Sequence, residues 1–346
     1  MPLIRGNIHF FPGNLKNKNR SYSSEMFSFR STVFLFSLFI SCNALTQDYQ
    51  QVEKVVAGYP GSFSSPGKLA ERINHDFSTP EEKARAIFAW ISHHIAYDVK
   101  AFAKGGKVVS FTYSSAEEKI SKEKALQEDL ARRTLRRKKG ICYGYSTLYK
   151  IICDYTDIEC VIISGTAKIL ESDIGRIPGT PNHTWNAVKI NGKWKLVDAT
   201  WGAGSIYGKS QRFVAEYDDI YFFTPPEIFF LNHYPADKQW LFVKMTAKAF
   251  ASLPLYYPAA LRSEIKLIKP AEGMVHVSKK KPVQVIMKNF HGGTVNFALN
   301  GRNYPDPVKP QRRRDETVFY LNIRRPGILT LFVDGKAFIG FKLVYR

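Results

Sequence analysis

The dipeptide Asn191-Gly192 constrains the fold of this chain more than any other feature of its sequence. It stands between residues 183–190 and residues 193–200, two runs in which β-branched and aromatic residues are frequent. An Asn-Gly pair between two such runs predicts a β-hairpin with a two-residue type I′ turn. Because the turn has a fixed length, it also predicts the register of the strands, with Ile190 opposite Lys193.

The predicted register brings a histidine and an aspartate to one face of the hairpin. Counting back from the turn places His183 opposite Thr200 and Asp198 opposite Trp185. Side chains alternate between the two faces of a strand, so His183 and Asp198 are diagonal neighbours, about 5–8 Å apart at Cβ. A carboxylate at this distance can orient an imidazole and fix its tautomer. The alternative is a purely structural contact between two strand residues.

A helix that begins near Cys142 is the second informative feature. Beyond residues 139–146, apolar residues recur at the spacing of one buried helical stripe: Leu148, Ile151, Ile152 and Tyr155. Cys142 therefore lies just before this helix or in its first turn. At that position the unpaired backbone N–H groups and the helix dipole favour an anionic sulfur.

The residues around Cys142 support the same hypothesis. The basic run 136–139 favours an anion nearby, and Gly140 and Gly144 are expected to leave the sulfur uncrowded. The alternative is that Cys142 is a small buried hydrophobic residue, as most free cysteines are. Together with His183 and Asp198, however, it completes a set of nucleophile, base and orienting carboxylate.

The sequence resembles the transglutaminase-like superfamily of cysteine enzymes, and within it the secreted bacterial members close to the kyphoscoliosis peptidase branch. The resemblance covers roughly residues 50–255. It rests on these segments: Gly140–Tyr145, Asn182–Asn186, Val197–Gly202, Thr79–Ala84, Trp90–Ile91, Ile95–Asp98, Tyr221–Glu227, His233–Pro235 and Trp240.

This resemblance implies an α+β fold with a papain/transglutaminase-like core. In such a core the cysteine stands at a helix start, packed on an antiparallel sheet that carries the histidine and the aspartate. The resemblance also implies roles for three residues: Cys142 as nucleophile, His183 as base and Asp198 as the residue that orients the imidazole. A backbone N–H near Cys142 is expected to hold the oxyanion, and the second donor is left open.

Three further segments are predicted to surround this site. Thr79-Pro80-Glu81-Glu82 predicts a helix start with a capping box. The charged segment Ser115–Lys139 predicts a helix with a solvated face. Ser172–Pro181, which contains two glycines and two prolines, predicts a loop that leads to His183 and shapes the substrate cleft.

The remaining cysteines and the metal-binding motifs bear on the chemistry. Cys153 and Cys160 are predicted to be core residues and not a disulfide. The sequence contains no Cys/His spacing typical of zinc sites, and no calcium loop or cofactor motif. We therefore predict chemistry without a metal and without a cofactor.

The first 45 residues are predicted to be a leader and signal segment. From Met26 the sequence has Arg30, the apolar run Val33–Ile40 and then small residues, the pattern of a secretory signal. The apolar run is too short to span a bilayer, which takes about 20 residues. Cleavage by an ordinary signal peptidase and lipidation at Cys42 are both open, as is a start at Met1 or Met26. We predict an exported protein, periplasmic, secreted or lipid-anchored.

The C-terminal part is predicted to be a separate domain. Residues 46–255 form the transglutaminase-like domain, segment 246–264 holds the linker, and residues 265–346 form a small immunoglobulin-like β-sandwich. Its predicted strands are Val283–Met287, Val295–Leu299, Val318–Ile323, Ile328–Val333 and Ala337–Val344. Residues 261–346 contain 17 Lys and Arg against 6 Asp and Glu, and so contribute +11 to the formal charge of +20.

These observations predict an exported thiol enzyme that acts on amide bonds of proteins or peptides through an acyl-enzyme, most simply a peptidase. The alternatives are a protein cross-linking transglutaminase and a non-catalytic envelope-binding module on the same fold. The basic C-terminal domain is expected to bind an anionic envelope polymer, although solubility alone also explains such charge. Nucleic acid is not an expected partner, because no recognised binding motif is present and the chain is predicted to be exported.

Overall fold

The computed structural model describes residues 4–9, 49–104, 108–207, 212–278, 280–304 and 306–345. Most of the predicted leader and signal segment, including Met26 and Cys42, lies outside these ranges. Within that segment Ile4–His9 forms a strand that pairs antiparallel with Val108–Tyr113, a pairing that the sequence did not suggest. Among the described helices, none combines the length and apolar character needed to cross a membrane.

The described helices precede and flank a central sheet. They are α1 (Gln50–Ala57), α2 (Pro66–Asp76), α3 (Pro80–His94), α4 (Val99–Ala103), α5 (Ala116–Arg137), α6 (Cys142–Tyr155), α7 (Ala199–Gly202), α8 (Pro226–Phe229), α9 (Ala247–Ser252) and α10 (Pro258–Leu261). Three single turns of 3₁₀ helix cover Glu171–Asp173, Asp219–Tyr221 and Lys238–Trp240. The predicted capping box is confirmed, because Thr79 and Glu82 bond each other's backbone at the start of α3.

Most strands of the N-terminal part lie in one five-stranded sheet or in short pairs beside it. They are β1 (Ile4–His9), β2 (Ala96–Tyr97), β3 (Val108–Tyr113), β4 (Lys139–Gly140), β5 (Cys160–Ala167), β6 (His183–Ile190), β7 (Lys193–Val197), β8 (Gly204–Tyr207), β9 (Arg212–Ala215), β10 (Phe222–Thr224) and β11 (His233–Pro235). The five-stranded sheet has the order β10-β7-β6-β5-β11, and every neighbouring pair in it is antiparallel. This mixed helix and sheet architecture agrees with the predicted fold class.

The predicted hairpin is present, with a shorter second strand than expected. Asn191 and Gly192 both have positive φ, 50° and 76°, and Ile190 pairs with Lys193 as predicted. However, β7 ends at Val197, so His183 does not face Thr200. It pairs instead with Gly165 of β5. The strand ends here because the Asp198 side chain caps α7, which turns the chain away from the sheet.

Helices α3 and α6 form the core against this sheet. The predicted stripe on α6 is buried at Leu148, Ile151 and Ile152. Tyr155 was wrongly included, since it is 50 % exposed. It is the last residue of the helix. As predicted, Cys153 and Cys160 are buried free cysteines. The predicted helix over Ser115–Lys139 is α5, capped by Ser115.

The C-terminal part consists of two facing sets of strands. They are β12 (Leu255–Tyr256), β13 (Lys266–Lys269), β14 (Met274–Val277), β15 (Val283–Lys288), β16 (Val295–Leu299), β17 (Arg302–Tyr304), β18 (Gln311–Arg313), β19 (Glu316–Leu321), β20 (Gly327–Val333) and β21 (Lys336–Tyr345). One sheet has the order β12-β21-β20-β16-β17 with β14 beside β21, and the other has the order β13-β15-β19-β18. The arrangement is compatible with a β-sandwich, and an immunoglobulin relationship stays a prediction.

The segment predicted as a linker is structured. It contains α9, β12 and α10, and β12 pairs with Gly340 and Ile339 of the C-terminal sheet. Buried Lys168, just beyond β5, donates to the carbonyl oxygens of Phe250 and Leu253 at 3.0 and 2.6 Å. Close by, Glu171 accepts hydrogen bonds from Tyr257, at 2.6 Å, and from Thr330 of β20, at 3.0 Å. Side chains therefore join the two parts of the chain at this point.

The positive φ of Gly192 generates the first prediction. Gly192→Ala is expected to lower the free energy of unfolding by about 1–2 kcal/mol, the cost of a left-handed conformation for a residue with a Cβ. No atom lies within 4 Å of the added Cβ, so the effect isolates backbone strain. Urea unfolding measures it. Gly179→Ala is the matched control, since that site is equally open and has no positive φ. Equal effects of the two substitutions would show that the positive φ of Gly192 is not the cause of the loss in stability.

Candidate active site

Cys142 is the first residue of α6, as predicted, but its surroundings differ from the expectation. The residue is only 2 % exposed. That Gly140 and Gly144 leave the sulfur uncrowded stays a prediction, but the structure gives the two glycines a packing role. They admit Thr134 of α5: a Cβ at Gly144 would lie 2.9 Å from Thr134 Oγ1, and one at Gly140 would lie 3.1 Å from Thr134 Cγ2. The two glycines therefore allow α5 to pack closely against the first turn of α6.

The basic run 136–139 does not act on the sulfur in the expected way. All four side chains are exposed, and Lys139 lies 3.6 Å from the carboxylate of Asp98. Water screens exposed charges, so their effect on a buried sulfur is small. Of the features that were predicted to favour an anionic sulfur, the position of Cys142 at the start of α6 is the one that the structure retains.

Hydrogen bonds fix the first turns of α6 against the sheet. Ser146 Oγ donates to the carbonyl oxygen of Cys142 at 3.0 Å and to Thr184 Oγ1 of β6 at 3.2 Å. From the same strand, Asn186 Nδ2 donates to the carbonyl oxygens of Ser146 and Val161, at 3.0 and 3.1 Å. These groups are buried, so the bonds are costly to break. They set the position of Cys142 relative to β6.

His183 is the first residue of β6 and pairs with Gly165 of β5. A side chain at Gly165 is impossible, because a Cβ there would collide with the ring of Trp185 and the carbonyl oxygen of Tyr234. The glycine thus lets Trp185 cross the strand and lets β11 approach it. The result is a close arrangement of His183, Trp185 and β11.

Asp198 receives its hydrogen bonds on both carboxylate oxygens. Oδ1 accepts from the backbone N–H groups of Thr200 and Trp201, at 2.9 and 3.1 Å. Oδ2 lies 2.6 Å from His183 Nε2. Asp198 is 1 % exposed and His183 is 4 % exposed. The two side chains that the hairpin argument placed together are therefore in direct contact, and their catalytic roles stay a prediction.

The protonation of this pair follows from its partners. Burial alone would lower the pKa of His183, but the charge and hydrogen bond of Asp198, together with the Cys142 side chain, raise it to about 10. Burial alone would raise the pKa of Asp198, but His183 and, more weakly, His233 hold it well below its usual value. The Cys142 side chain lies close enough to the imidazole to favour its protonated form as well, after burial and Asp198. His183 and Asp198 are thus directly bonded, and Cys142 lies near enough to affect the protonation of His183.

His233 is a member of the site that reasoning from the residues missed. Its Nε2 lies 3.1 Å from Asp198 Oδ2, and its ring stacks on Phe229 at 4.0 Å between centroids. The sequence placed His233 only in a motif of the resemblance, without a role. It reaches the site because β11 pairs with β5, with His233 opposite Ala167. The run of aromatic residues and prolines before His233 is the sequence signal that could have indicated a buried segment here.

Tyr97 also lies near the sulfur. It belongs to β2 and pairs with Gly140, two residues before Cys142. Burial, and after it the charges of Cys142 and Tyr145, raise the pKa of the Tyr97 hydroxyl above its usual value. The hydroxyl consequently stays protonated and can donate a hydrogen bond.

Metal ligation is the other use that such side chains can have. In the part of the chain that the structure describes, one group could hold an ion: His183, Asp198 and His233, with ligand atoms within 4.8 Å of one another. Here both Nε2 atoms lie directly against the same Asp198 oxygen, so these atoms already serve each other as hydrogen-bond partners.

A cavity of about 230 Å³ lies beside the end of β5 and β6. Its lining includes Lys168, Arg176, Thr180 and Asn182, the residue before His183. The predicted loop Ser172–Pro181 therefore borders this cavity. Three large aliphatic side chains next to it are exposed: Ile169, Leu170 and Ile177, at 45, 58 and 60 %. The cavity therefore has both charged and apolar side chains around it.

A model of a known protein family matches part of the chain. Residues 67–199, which include Cys142, His183 and Asp198, match the family model described as the transglutaminase-like superfamily. The chain contains a transglutaminase-like domain. The resemblance inferred from the motifs is therefore confirmed.

Individual relatives agree with this assignment. Kyphoscoliosis peptidase of Homo sapiens is 31 % identical over 207 residues, which are 59 % of this chain and 28 % of that protein. Hillarin of Drosophila melanogaster is 31 % identical over 198 residues, 51 % of this chain and 21 % of that protein. The chain thus spans 28 % of the length of the first relative and 21 % of the length of the second. A solved structure described as a TGase aligns at 19 % identity with a TM-score of 0.28, over 54 % of this chain and 40 % of that one.

The raised pKa of His183 generates a prediction about stability. The folded state holds this proton up to about pH 10, whereas the unfolded chain releases it near pH 6.5. The contribution of the His183–Asp198 pair to the free energy of unfolding is therefore fully present below about pH 6.5. It is lost as the pH rises through about 10. Lys168 opposes this slope, because burial lowers its pKa to about 7.

The quantity to measure is therefore the difference in the free energy of unfolding between wild type and Asp198→Asn. Urea unfolding at several pH values provides it. We expect the stability advantage of the wild type to shrink between pH 6.5 and pH 10, by at most about 1.4 kcal/mol per pH unit for one proton. Lys168 is present in both proteins, so its effect on the pH dependence of stability cancels in the difference. A difference that stays constant across this range would show that Asp198 does not hold a proton on His183.

Proposed function

We propose that this protein is a thiol-dependent enzyme that cleaves amide bonds in proteins or peptides through an acyl-enzyme on Cys142. One observation carries the proposal: His183 bonds Asp198 at 2.6 Å and Cys142 lies near the imidazole, with all three residues buried at the junction of α6 and the sheet. A thiol, an imidazole and a carboxylate in this order are the components of nucleophilic acyl transfer.

In the proposed reaction Cys142 Sγ forms a bond to the substrate carbonyl carbon. His183 holds the thiol proton and delivers it to the amine as the carbon–nitrogen bond breaks. Water then attacks the thioester, His183 takes a proton from it, and that proton returns to the sulfur as the acid leaves. Asp198 stabilises the imidazolium throughout and keeps its proton on Nε2.

The oxyanion formed in both steps needs hydrogen-bond donors. The backbone N–H of Cys142 stands at the start of α6, where the helix dipole also favours negative charge. The hydroxyl of Tyr97 is the candidate for the second donor, because Cys142 is close enough to affect its ionisation. Substrate is proposed to bind along the cavity and the exposed side chains Ile169, Leu170 and Ile177, which offer contact to apolar residues of a peptide.

Hydrolysis is the proposed outcome, supported by the name peptidase that two of the relatives carry. The name of the superfamily supports the alternative, in which an amine resolves the acyl-enzyme and cross-links proteins. The 2 % exposure of Cys142 supports a third function, a binding module without turnover.

Location and partners belong to the same proposal. The signal pattern of the first 45 residues supports export of the protein, which would then be periplasmic, secreted or lipid-anchored. The formal charge of +11 on residues 261–346 supports binding of an anionic envelope polymer. Arg312 and Arg313 are exposed on β18, an edge strand, where such a polymer can reach them.

Cysteine reactivity tests the nucleophile. In folded protein at neutral pH, iodoacetamide is expected to alkylate Cys142 faster than Cys153 or Cys160, because Cys142 begins α6 and lies near the His183 imidazole, which holds a proton. Burial, then the hydrogen bond to Cys160, raises the pKa of Cys153 and keeps that thiol neutral. Mass spectrometry of the digested protein locates the label.

The control for this experiment is Asp198→Asn, which leaves all three cysteines in place. It should preserve the fold and lower Cys142 labelling, and it should cut any turnover by roughly 10³–10⁴, as expected for an imidazole in the wrong tautomer. Equally slow labelling of the three cysteines in wild type would exclude an active thiol.

The choice between hydrolysis and cross-linking needs a separate experiment. A peptide library or envelope proteins are offered together with a labelled primary amine, and both products are followed by mass spectrometry. We expect cleavage to exceed amine incorporation, and Cys142→Ser to abolish both. Faster amine incorporation would assign a transglutaminase, whereas neither product, together with an unreactive Cys142, would assign a binding module.

A further inference from the structure

A second histidine contacts the carboxylate that orients His183. His233 Nε2 lies 3.1 Å from Asp198 Oδ2, the same oxygen that lies 2.6 Å from His183 Nε2. We propose that His233 is a positioning residue: it donates its Nε2–H to Asp198 and holds the carboxylate in the orientation that His183 requires. This inference rests on the proposed function, because it concerns the same triad.

The hydrogen bonds of Asp198 show what His233 contributes. Each carboxylate oxygen can accept two hydrogen bonds. Oδ1 has both, from the N–H groups of Thr200 and Trp201, and Oδ2 has one from His183. The remaining position on Oδ2 faces His233. A buried carboxylate without this last donor would lose favourable energy that water cannot restore, because Asp198 is only 1 % exposed.

The tautomer of His233 follows from its two neighbours. Nε2 faces the carboxylate of Asp198, and Nδ1 lies 3.1 Å from the carbonyl oxygen of Phe229. Both neighbours are acceptors, and a neutral imidazole has a single N–H. A charged carboxylate is the stronger acceptor, so the proton belongs on Nε2. Burial lowers the pKa of His233; Asp198 opposes this, and the charge on His183 adds to it, so the ring stays neutral.

Packing prevents His233 from turning away. Its ring stacks on Phe229, with centroids 4.0 Å apart and planes at 19°, and lies 4.4 Å from the ring of Trp201. The ring of Trp185 packs against a third side of the His233 ring, with centroids 5.1 Å apart. The donor is consequently fixed before any substrate binds, which is what a group that positions another must provide.

Nitrogen NMR of the full chain, labelled with ¹⁵N-histidine, tests the tautomer directly. The ring nitrogen shifts show which nitrogen carries the proton, and the His233 signals are assigned by their loss in His233→Gln. We expect a neutral ring with the proton on Nε2. A proton on Nδ1 alone would mean that His233 bonds only Phe229, and would overturn the proposal.

Two substitutions separate donation from packing. His233→Gln places an amide N–H near the position of Nε2, whereas His233→Phe keeps a ring that stacks on Phe229 but has no donor. The rate of Cys142 alkylation is expected to fall by roughly 10- to 100-fold in His233→Phe, as when a buried charge loses one donor. His233→Gln should recover most of this loss.

The control for packing is Phe230→Leu, a substitution in the same aromatic cluster as Phe229. It should lower Tm and leave the alkylation rate unchanged. If His233→Gln and His233→Phe slow alkylation equally, in proportion to their loss of Tm, His233 acts through packing and the proposal is wrong. An unreactive Cys142 in wild type would instead refute the proposed function, and the NMR experiment would still decide the tautomer of His233.

Discussion

The buried carboxylate of Asp198 is the constraint on which the arrangement of the site depends. An ionised carboxylate with almost no access to water is stable only if protein groups replace its hydration. Two backbone N–H groups of α7 and two imidazoles supply the hydrogen bonds. These donors come from three separate elements, α7, β6 and β11. The charge therefore ties the end of the hairpin to a strand on the far edge of the sheet.

A second requirement is close approach between backbone elements. Gly140 and Gly144 allow α5 to reach the first turn of α6, and Gly165 allows Trp185 and β11 to cross β5. In each place a single methyl group would meet an atom of the neighbouring element. The position of Cys142 thus depends on missing side chains as much as on the contacts of the cysteine itself.

The parts of the fold that were predictable from sequence depend on local backbone geometry. Asn191 and Gly192, the pair from which the register was predicted, both have positive φ and join the antiparallel strands β6 and β7. A two-residue turn leaves one register, so the strands and the contact between His183 and Asp198 followed from counting residues.

The features that sequence reasoning missed depend on contacts between distant segments. His233 meets Asp198 across 35 residues of chain, through a pairing of β11 with β5 that no local pattern encodes. The role of Gly144 depends on Thr134 in another helix, and the end of β7 depends on the Asp198 cap competing with strand pairing. Tyr155 fitted the periodicity of α6, but periodicity does not show where the covering elements end.

The side chains that join the two parts of the chain have a mechanical consequence. Strand β5 lies next to His183. Just beyond this strand, Lys168 bonds the carbonyl oxygens of Phe250 and Leu253 at the end of α9, and Glu171 bonds Tyr257 and Thr330. A pull on the C-terminal sheet is therefore borne by β5 as well as by the connecting backbone.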